Sequence, residues 1–393
     1  MTIPHRIHRI YYYHHHPLMI GVIIHITVQK DDQTMAQSPL NDDRPFELGL
    51  YTFVDDGRNA LTGVKKDPGK VMADFLETAE LADQTGLDVI AIGEHHREEY
   101  LSSAPEVILA AVAARTENIR LSSAVTVLSS DDPVRVFERF SSLDLLSNGR
   151  AEIMAGRGSF IESFGLFGYD LNDYGDLFEE KLRLLTQITD NRSITWSGKF
   201  RSSLEGQIIY PRPIQSRIPL WVAVGGSPDS SKRAASLGLP MAFAIICGLP
   251  ERFAPFFDLY RQTSREFGFD PDRIPLSVNS HGFIADKSQD AVDEYYPHAE
   301  VMFNKIGKER GWGPTSRAQL ETQRDLQGSD FVGSPDEIIE KILFQHEIFQ
   351  HQRFLIYMGN NAIAHKKMMR AIELFGTKVA PEVRKEIARR NKS

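Results

Sequence analysis

The sequence predicts an α/β fold of the (β/α)8 class, a TIM barrel with insertions after helix 4 and after strand 7. Three observations carry that expectation. From Phe46 onward, short β-rich runs alternate with longer runs of helical periodicity, which implies parallel strands joined by crossover helices. Eight such units fit in about 350 residues, the length of a barrel with insertions. The run Asp88 to Gly93 closes on an acid and two imidazoles, Glu94-His95-His96, and the rim of an α/β sheet is where such folds keep their chemistry. An open, doubly wound sheet is the alternative, because periodicity does not see whether a sheet closes.

The elements follow in order. Residues 46–54 read as the first strand, and 70–84 as a helix with Val71, Phe75, Leu76, Ala79 and Ala82 on one face and Gly86 as its stop. Residues 88–93 are the second strand. The third, 119–128, is rich in Val, Ile, Ser and Thr. Pro133 opens a helix whose Val134, Val136, Phe137, Phe140, Leu143 and Leu146 share a face, ended by Asn148-Gly149. Strand four is 151–155 and its helix 176–188. Strand five, 219–224, leads through Gly225-Gly226-Ser227-Pro228 into a helix ending at Leu237. Strands six and seven are 241–246 and 274–285; a helix over 335–349 precedes strand eight, 354–358, and another over 366–375 follows it. Two stretches, 192–218 and 295–331, are longer than a barrel needs. Long connections in a compact domain usually serve function, so a substrate lid is expected in the second, which leaves strand seven on the rim side.

Composition bounds the function. With 393 residues, 41% hydrophobic and 25% charged, the chain can bury a large core, and one barrel domain is expected over 45–393. A net charge of −8, with no basic run interleaved with aromatics, opposes a nucleic-acid partner. Cys247 is the only cysteine, which excludes an intrachain disulfide framework and a multi-cysteine zinc or iron–sulfur site; a reducing, cytoplasmic compartment is expected. Its place just after strand six reads as a small buried hydrophobe rather than a nucleophile. Residues 1–44 break from this pattern and read as a dispensable extension. Their dozen or so apolar residues, interrupted by His25, are too few to span a bilayer, and Met35 begins a stretch that would make an ordinary start.

The candidate chemistry sits at strand ends. His95 and His96 are adjacent, so a continuing strand would point them to opposite faces, and they lack the spacing of a helical zinc pair; no metal site is expected. An imidazole there can act as general base or hydrogen-bond partner near neutral pH. His96 is read as packing against or orienting its neighbours. Arg157, between Gly156 and Gly158, is a permanent cation with close backbone access, suited to a phosphate dianion, with a surface arginine in a turn as the plainer reading. Gly226, Ser227 and Ser230 begin the helix after strand five, where free amides and hydroxyls meet a phosphate. Softer candidates are Phe53, His281, Tyr357 and Asn360 near strand ends, and the segment Ser159 to Ser163.

Taken together, Glu94-His95-His96, the run Ser122 to Leu128, Asp132-Pro133-Val134-Arg135, the run Leu143 to Arg150, Gly156-Arg157-Gly158 and Gly225-Gly226-Ser227-Pro228 resemble the bacterial luciferase-like flavin monooxygenases, in order and at family spacing from about Phe46 to about Pro381. The resemblance implies a (β/α)8 barrel that binds FMN, or in one branch a deazaflavin coenzyme, at the carboxyl ends of its strands. It also implies a reaction in which reduced FMN and O2 give a 4a-hydroperoxyflavin that oxidises a small organic substrate. A separate NAD(P)H:flavin reductase as supplier and a homodimeric assembly are further implications. Residue by residue, His95 matches the family's histidine beside the flavin with Glu94 before it, giving the two catalytic candidates. Ala124 and Val125 align with a non-proline cis peptide beneath the flavin ring, and Arg157, Gly226, Ser227 and Ser230 with the phosphate side. In the luciferases a carboxylate stands where Gly226 falls, a departure that leaves only the backbone amide there. The expected function is therefore an FMN-dependent monooxygenase. A deazaflavin-dependent dehydrogenase and a flavin-binding protein without turnover are the rivals.

Overall fold

The computed structural model describes residues 45–392 apart from Ala60, Asn360 and Asn361; the expected extension over 1–44 and the rim candidate Asn360 lie outside the described residues. Eight parallel strands close on themselves: β1 (Glu47–Thr52), β2 (Val89–Ile92), β3 (Arg120–Ser123), β4 (Ala151–Gly156), β5 (Leu220–Val224), β6 (Met241–Ala244), β7 (Leu276–Ile284) and β8 (Arg353–Tyr357). Neighbours pair in chain order around the ring, β8 pairs with β1, and β6 pairs with β7 from Met241↔Leu276, so no edge is left in the barrel. Strands covered on both faces read as continuous apolar runs, and every residue of β2 is buried.

The connecting helices are α1 (Pro68–Gln84), α2 (Pro105–Ala113), α3 (Pro133–Leu146), α4 (Tyr174–Asp190), α5 (Pro228–Ser236), α6 (Ala254–Glu266), α7 (Pro335–Phe349) and α8 (His365–Leu374). Several start the same way for the same reason. Proline at the first position lacks only an N–H that has no partner there, and the preceding Asp67, Asp132 or Ser227 accepts from an exposed amide of the first turn. Helix α3 stops where Asn148 and Gly149 take φ of 55° and 87°, a conformation that costs glycine nothing and asparagine little.

Two shells of core hold the barrel. Outside it, helix faces such as Phe137 and Phe140 of α3 pack on the strands; inside it, Tyr51, Val89, Ala91, Met154, Trp221, Ala242 and Leu355 fill the lumen. The amino end of the lumen is closed by charge. Arg353 donates to both oxygens of Glu152, at 2.6 and 3.0 Å, and to Glu47 at 2.7 Å, with its guanidinium carbon 4.1 Å from the centre of the Trp221 ring. Chemistry is thereby confined to the carboxyl rim.

The structure departs from the expected elements in four places. The third strand does not run to Leu128. It ends at Ser123, the Ala124–Val125 peptide is cis, and Thr126–Val127 resumes as a two-residue strand on β4. Residues 192–218 contain a hairpin, Ser193–Trp196 with Leu204–Ile208. Residues 295–331 are not an open loop. A 22-residue helix, Ser288–Glu309, enters them, followed by a short one, Arg317–Glu321, and a strand, Phe331–Gly333, that pairs with β7. Pro297 and the glycines around Trp312 disguise that helix in the sequence, yet Ala291, Val292, Tyr295 and Tyr296 bury one face of it. Cys247 is exposed rather than buried, because β6 ends at Ala244 and the chain has already left the barrel.

Candidate active site at the carboxyl rim

The turn after β2 is bolted to the turn after β3. Glu94 is 7% exposed; its Oε2 accepts from the Val127 amide at 2.8 Å, its Oε1 lies 2.7 Å from His96 Nε2, and its own amide donates to the Val125 carbonyl at 3.0 Å. Both oxygens of this carboxylate are committed, so Glu94 positions the Ala124–Val125 turn and His96 rather than standing free as an acid. Two glycines make the close approach possible. A Cβ on Gly93 would come 2.5 Å from the Ala124 carbonyl oxygen, and one on Gly156 2.7 Å from the Val125 side chain.

His95 sits in an aromatic box. Its ring centroid is 4.4 Å from Phe53, 4.5 Å from Tyr100 and 4.9 Å from Phe160, and the residue is 8% exposed. Burial, reinforced by Arg97 and His96, pushes the imidazole down to about 4. It is neutral across the physiological range, able to donate from one ring nitrogen and accept at the other. Phe53 continues the chain of rings to Tyr357 at 5.5 Å, and Tyr357 to His281 at 5.0 Å, so three of the softer candidates share one aromatic row.

Arg157, Ser227 and Ser230 converge from two neighbouring strands. Arg157 Nη2 lies 3.3 Å from Ser230 Oγ, Ser230 Oγ lies 2.6 Å from Ser227 Oγ, and Ser227 caps α5. The guanidinium rests 5.0 Å from the ring centre of Tyr174, whose hydroxyl donates to the Gly158 carbonyl at 2.7 Å. Among the described residues Arg157 has no carboxylate partner. Gly226, at φ 98°, leaves the space above the turn open, since a Cβ there would meet nothing nearer than 3.9 Å. The cation, two hydroxyls and the positive end of α5 suit an anion, and the exposed Asp229 in the first turn lowers the local charge somewhat. Of the segment Ser159 to Ser163, only Phe160 reaches the row of rings, against His95.

A cavity of about 390 Å³ opens on the other half of the rim, above β7, β8 and β1 and under the Ser288–Glu309 helix. His281 and Tyr357 form its floor, Tyr295, Ala299, Met302, Phe303 and Ile306 its roof, and Cys247 and Asp330 its far wall. In the ring order of the strands, the pair β4–β5 that carries the anion cradle faces the pair β8–β1, so cradle and cavity stand across the barrel mouth from one another. The roof is latched. Arg97, next to His96, donates to Glu309 at 2.8 and 3.0 Å and to Glu162 at 2.8 Å, and Lys305 pairs with Glu99. Arg97 also lies 4.4 Å from the ring centre of Phe160, one wall of the His95 box.

Sequence reasoning missed Tyr100, Arg97 and Asp330. None lies in a motif; Arg97 and Tyr100 follow the end of β2 by several residues and reach the rim because their loop folds back, as when Asp55 bridges to Tyr100, and Asp330 comes to it at the far end of the 295–331 insertion, just before the strand Phe331–Gly333. A grouping of metal-ligand type, Asp74, Glu77 and His365, lies on the outer helices α1 and α8, where His365 Nε2 is 2.8 Å from Glu77 and Lys70 pairs with Asp74. Asp74 and His365 line a small pocket with Thr52 and Met358, beside the ends of β1 and β8 and separate from the cavity described above. Among the described residues no helix is long and apolar enough to cross a membrane.

The chain is similar to known proteins in sequence and in fold. The sequence profile described as luciferase-like monooxygenase matches residues 48–351. The 4-hydroxyprotoasukamycin monooxygenase of Streptomyces nodosus subsp. asukaensis is 29% identical over 335 residues, 80% of this chain and 88% of that protein. Among solved structures, the oxygenating constituent of 3,6-diketocamphane monooxygenase from Pseudomonas putida, in complex with FMN, superposes with a TM-score of 0.69 at 20% identity, over 86% of this chain and 99% of that one. An F420-dependent secondary alcohol dehydrogenase does so with a TM-score of 0.67 at 16% identity, over 86% and 99%. At these identities the two structures share the fold.

Proposed function

Because the chain belongs to the luciferase-like monooxygenase family, we propose that it is an FMN-dependent monooxygenase that oxidises a small organic substrate with O2, its reduced flavin supplied by a separate reductase. The observation that carries this reading is the Arg157–Ser227–Ser230 cradle. A guanidinium without a carboxylate partner, beside two hydroxyls and the start of a nine-residue helix, fits the phosphate of FMN. The open space over Gly226 fits it as well.

When bound, reduced FMN supplies the electrons that activate O2. The chain's own residues do the rest. Arg157, Ser227, Ser230 and the Gly226 amide hold the phosphate, and the Ala124–Val125 turn, clamped by Glu94, offers a rigid surface at the strand ends for the ring system. Neutral His95 presents a hydrogen-bonding imidazole fixed by three aromatic rings, suited to hold or pass a proton at one ring nitrogen. The cavity under the latched helix takes the organic substrate and keeps water out.

The test is oxygen uptake with chemically reduced FMN, with and without candidate substrates, beside the same assay with a deazaflavin coenzyme. Substrate-dependent uptake with FMN is the expected result. Turnover confined to the deazaflavin, as dehydrogenation without oxygen, would replace this reading with the dehydrogenase one; binding of FMN without any turnover would leave a flavin carrier.

A further inference from the structure

Among the acids that line the cavity beneath the insertion helix, Asp330 differs from Asp56 and Glu99. Asp56 and Glu99 are held by cations, the first by Arg58 and Lys65, the second by Arg97 and Lys305. Asp330, just before the short strand beside β7, is 8% exposed and lines the same cavity. The cation on its side, Lys341 of α7, spends its donors elsewhere, on the main-chain carbonyls of Gln323, Asp325 and Asp330 at 3.0, 2.7 and 2.7 Å. The carboxyl itself receives the Tyr296 hydroxyl at 3.3 Å on Oδ2. Beside it, Gln323 commits Oε1 to the Gly248 amide and the Ser329 hydroxyl, so the group it has left to offer is its NH2 donor.

Taking the cavity as the substrate pocket of the proposed monooxygenase, we infer that Asp330 sets its charge selectivity, admitting uncharged substrates with an apolar body and a polar head and rejecting those whose head is a carboxylate. An anionic head at this wall would face a second carboxyl in a dry setting. The cavity's own cations, Arg58 and Lys305, are already paired.

The electrostatics give the selectivity a pH dependence. Burial pushes Asp330 up to about 7, with the charge of Lys341 opposing. An uncharged ligand that dries the wall further favours the protonated acid, so its affinity falls as pH rises through that value. A carboxylate ligand loses more over the same range, because repulsion is added to desolvation. Of the groups facing Asp330, the phenols Tyr51, Tyr295 and Tyr296 and the thiol Cys247 are raised by burial and stay protonated, while His281 is pushed down to about 4 and stays neutral. Lys341 is pulled down to about 7 by burial, and its three carbonyl acceptors favour the ammonium form.

The experiment is calorimetric binding of two eight-carbon probes, 1-octanol and octanoate, to the full chain at about pH 6 and about pH 8, where octanoate stays ionised as a glutamate would, near 4.3. No reduced flavin is added, so the outcome does not depend on turnover. In the native protein both probes should weaken as pH rises, octanoate more steeply. In Asp330→Asn the pH dependence should vanish for both, and the octanol preference at the higher pH should narrow at least about fivefold, the scale of 1 kcal/mol between charged groups. Tyr296→Phe removes a bond that favours the ionised acid, so the pH at which octanol affinity falls should move upward, a shift a merely structural role would not produce. If the asparagine variant does not fold, this second shift decides. An unchanged probe ratio or a surviving pH dependence in Asp330→Asn, the latter then belonging to Lys341, would overturn the inference, as would an unmoved profile in Tyr296→Phe. Failure of the monooxygenase reading would appear instead as no substrate-dependent oxygen uptake with the probe selectivity intact.

Discussion

Arg157 Nη2 lies 3.3 Å from Ser230 Oγ, joining the turn after β4 to the first turn of α5 across 73 residues of sequence. Two adjacent barrel strands end side by side, and one delivers the cation while the next delivers the hydroxyls and the helix start. This pairing is the basis of the first prediction. Arg157→Ala should weaken FMN binding by about 1.5–3 kcal/mol, the scale of a charged hydrogen bond, and leave riboflavin binding nearly unchanged. Fluorescence titration of both flavins decides it; equal losses for the two would remove the phosphate assignment.

His95 is expected to serve chemistry. His95→Ala should lower substrate oxidation by about 10²- to 10⁴-fold and raise hydrogen peroxide release, with FMN affinity changed far less. Turnover of the native protein should show no inflection near the ordinary histidine value from this residue, since burial holds the ring at about 4. Wild-type turnover and coupling in the alanine variant would end the assignment.

The same imidazole has a cost in acid. Its folded value lies below the unfolded value of 6.5, so its contribution is complete above 6.5 and is lost as pH falls toward 4, reaching roughly 3 kcal/mol at full expression. His351, fully buried and pushed well below the ordinary range by burial, acts in the same direction. Denaturant unfolding of the native protein should therefore show stability falling between those pH values, and His95→Phe should flatten part of that fall. A variant with the native pH slope would contradict the account.

Arg97 ties the insertion helix to the loops after β2 and β4 through Glu309 and Glu162. Glu309 is exposed and Glu162 half-buried, so the latch is weak: Arg97→Ala should release roughly 1 kcal/mol and raise KM about fivefold, with faster proteolysis within residues 288–331. High salt should move the native protein the same way. Unchanged KM and cleavage rate in the variant would mean the helix is held by its apolar face alone.

The buried Arg353 tests the barrel rather than the chemistry. Arg353→Met leaves Glu47 without its cation and Glu152, 1% exposed, with only Arg120 at 3.8 Å, and should cost about 3–5 kcal/mol in urea unfolding. Replacing Arg353 and Glu152 together by apolar residues should recover much of that loss. A single variant as stable as the native protein would show that the cluster is solvated.

Much of this molecule follows from local sequence. Asp67-Pro68, Asp132-Pro133 and Ser227-Pro228 announce their helices because a cap and a first turn are settled within four residues, and β2 announces itself because a strand buried on both faces must be apolar throughout. The rim candidates were legible for a related reason: glycines and titratable groups crowd strand ends where backbone approaches are close, as at Gly93 and Gly156. Helix α2 shows no helical period, since almost all of its residues are apolar, and Pro297 interrupts the pattern of the insertion helix that roofs the cavity.

What the sequence by itself determined is the alternation of strands and helices and the residue types placed at the strand ends. Which of those residues meet was decided by tertiary structure. Glu94 reads as a free acid until the turn after β3 brings the Val127 amide to 2.8 Å, and His95 reads as a titrating base until Phe53, Tyr100 and Phe160 close around it and hold it neutral. Asp330 is an unremarked loop residue until the insertion helix covers it. Partners 30 to 70 or more positions apart are chosen by strand order and ring closure, and burial, which sets charge and proton affinity, exists only once that closure is made.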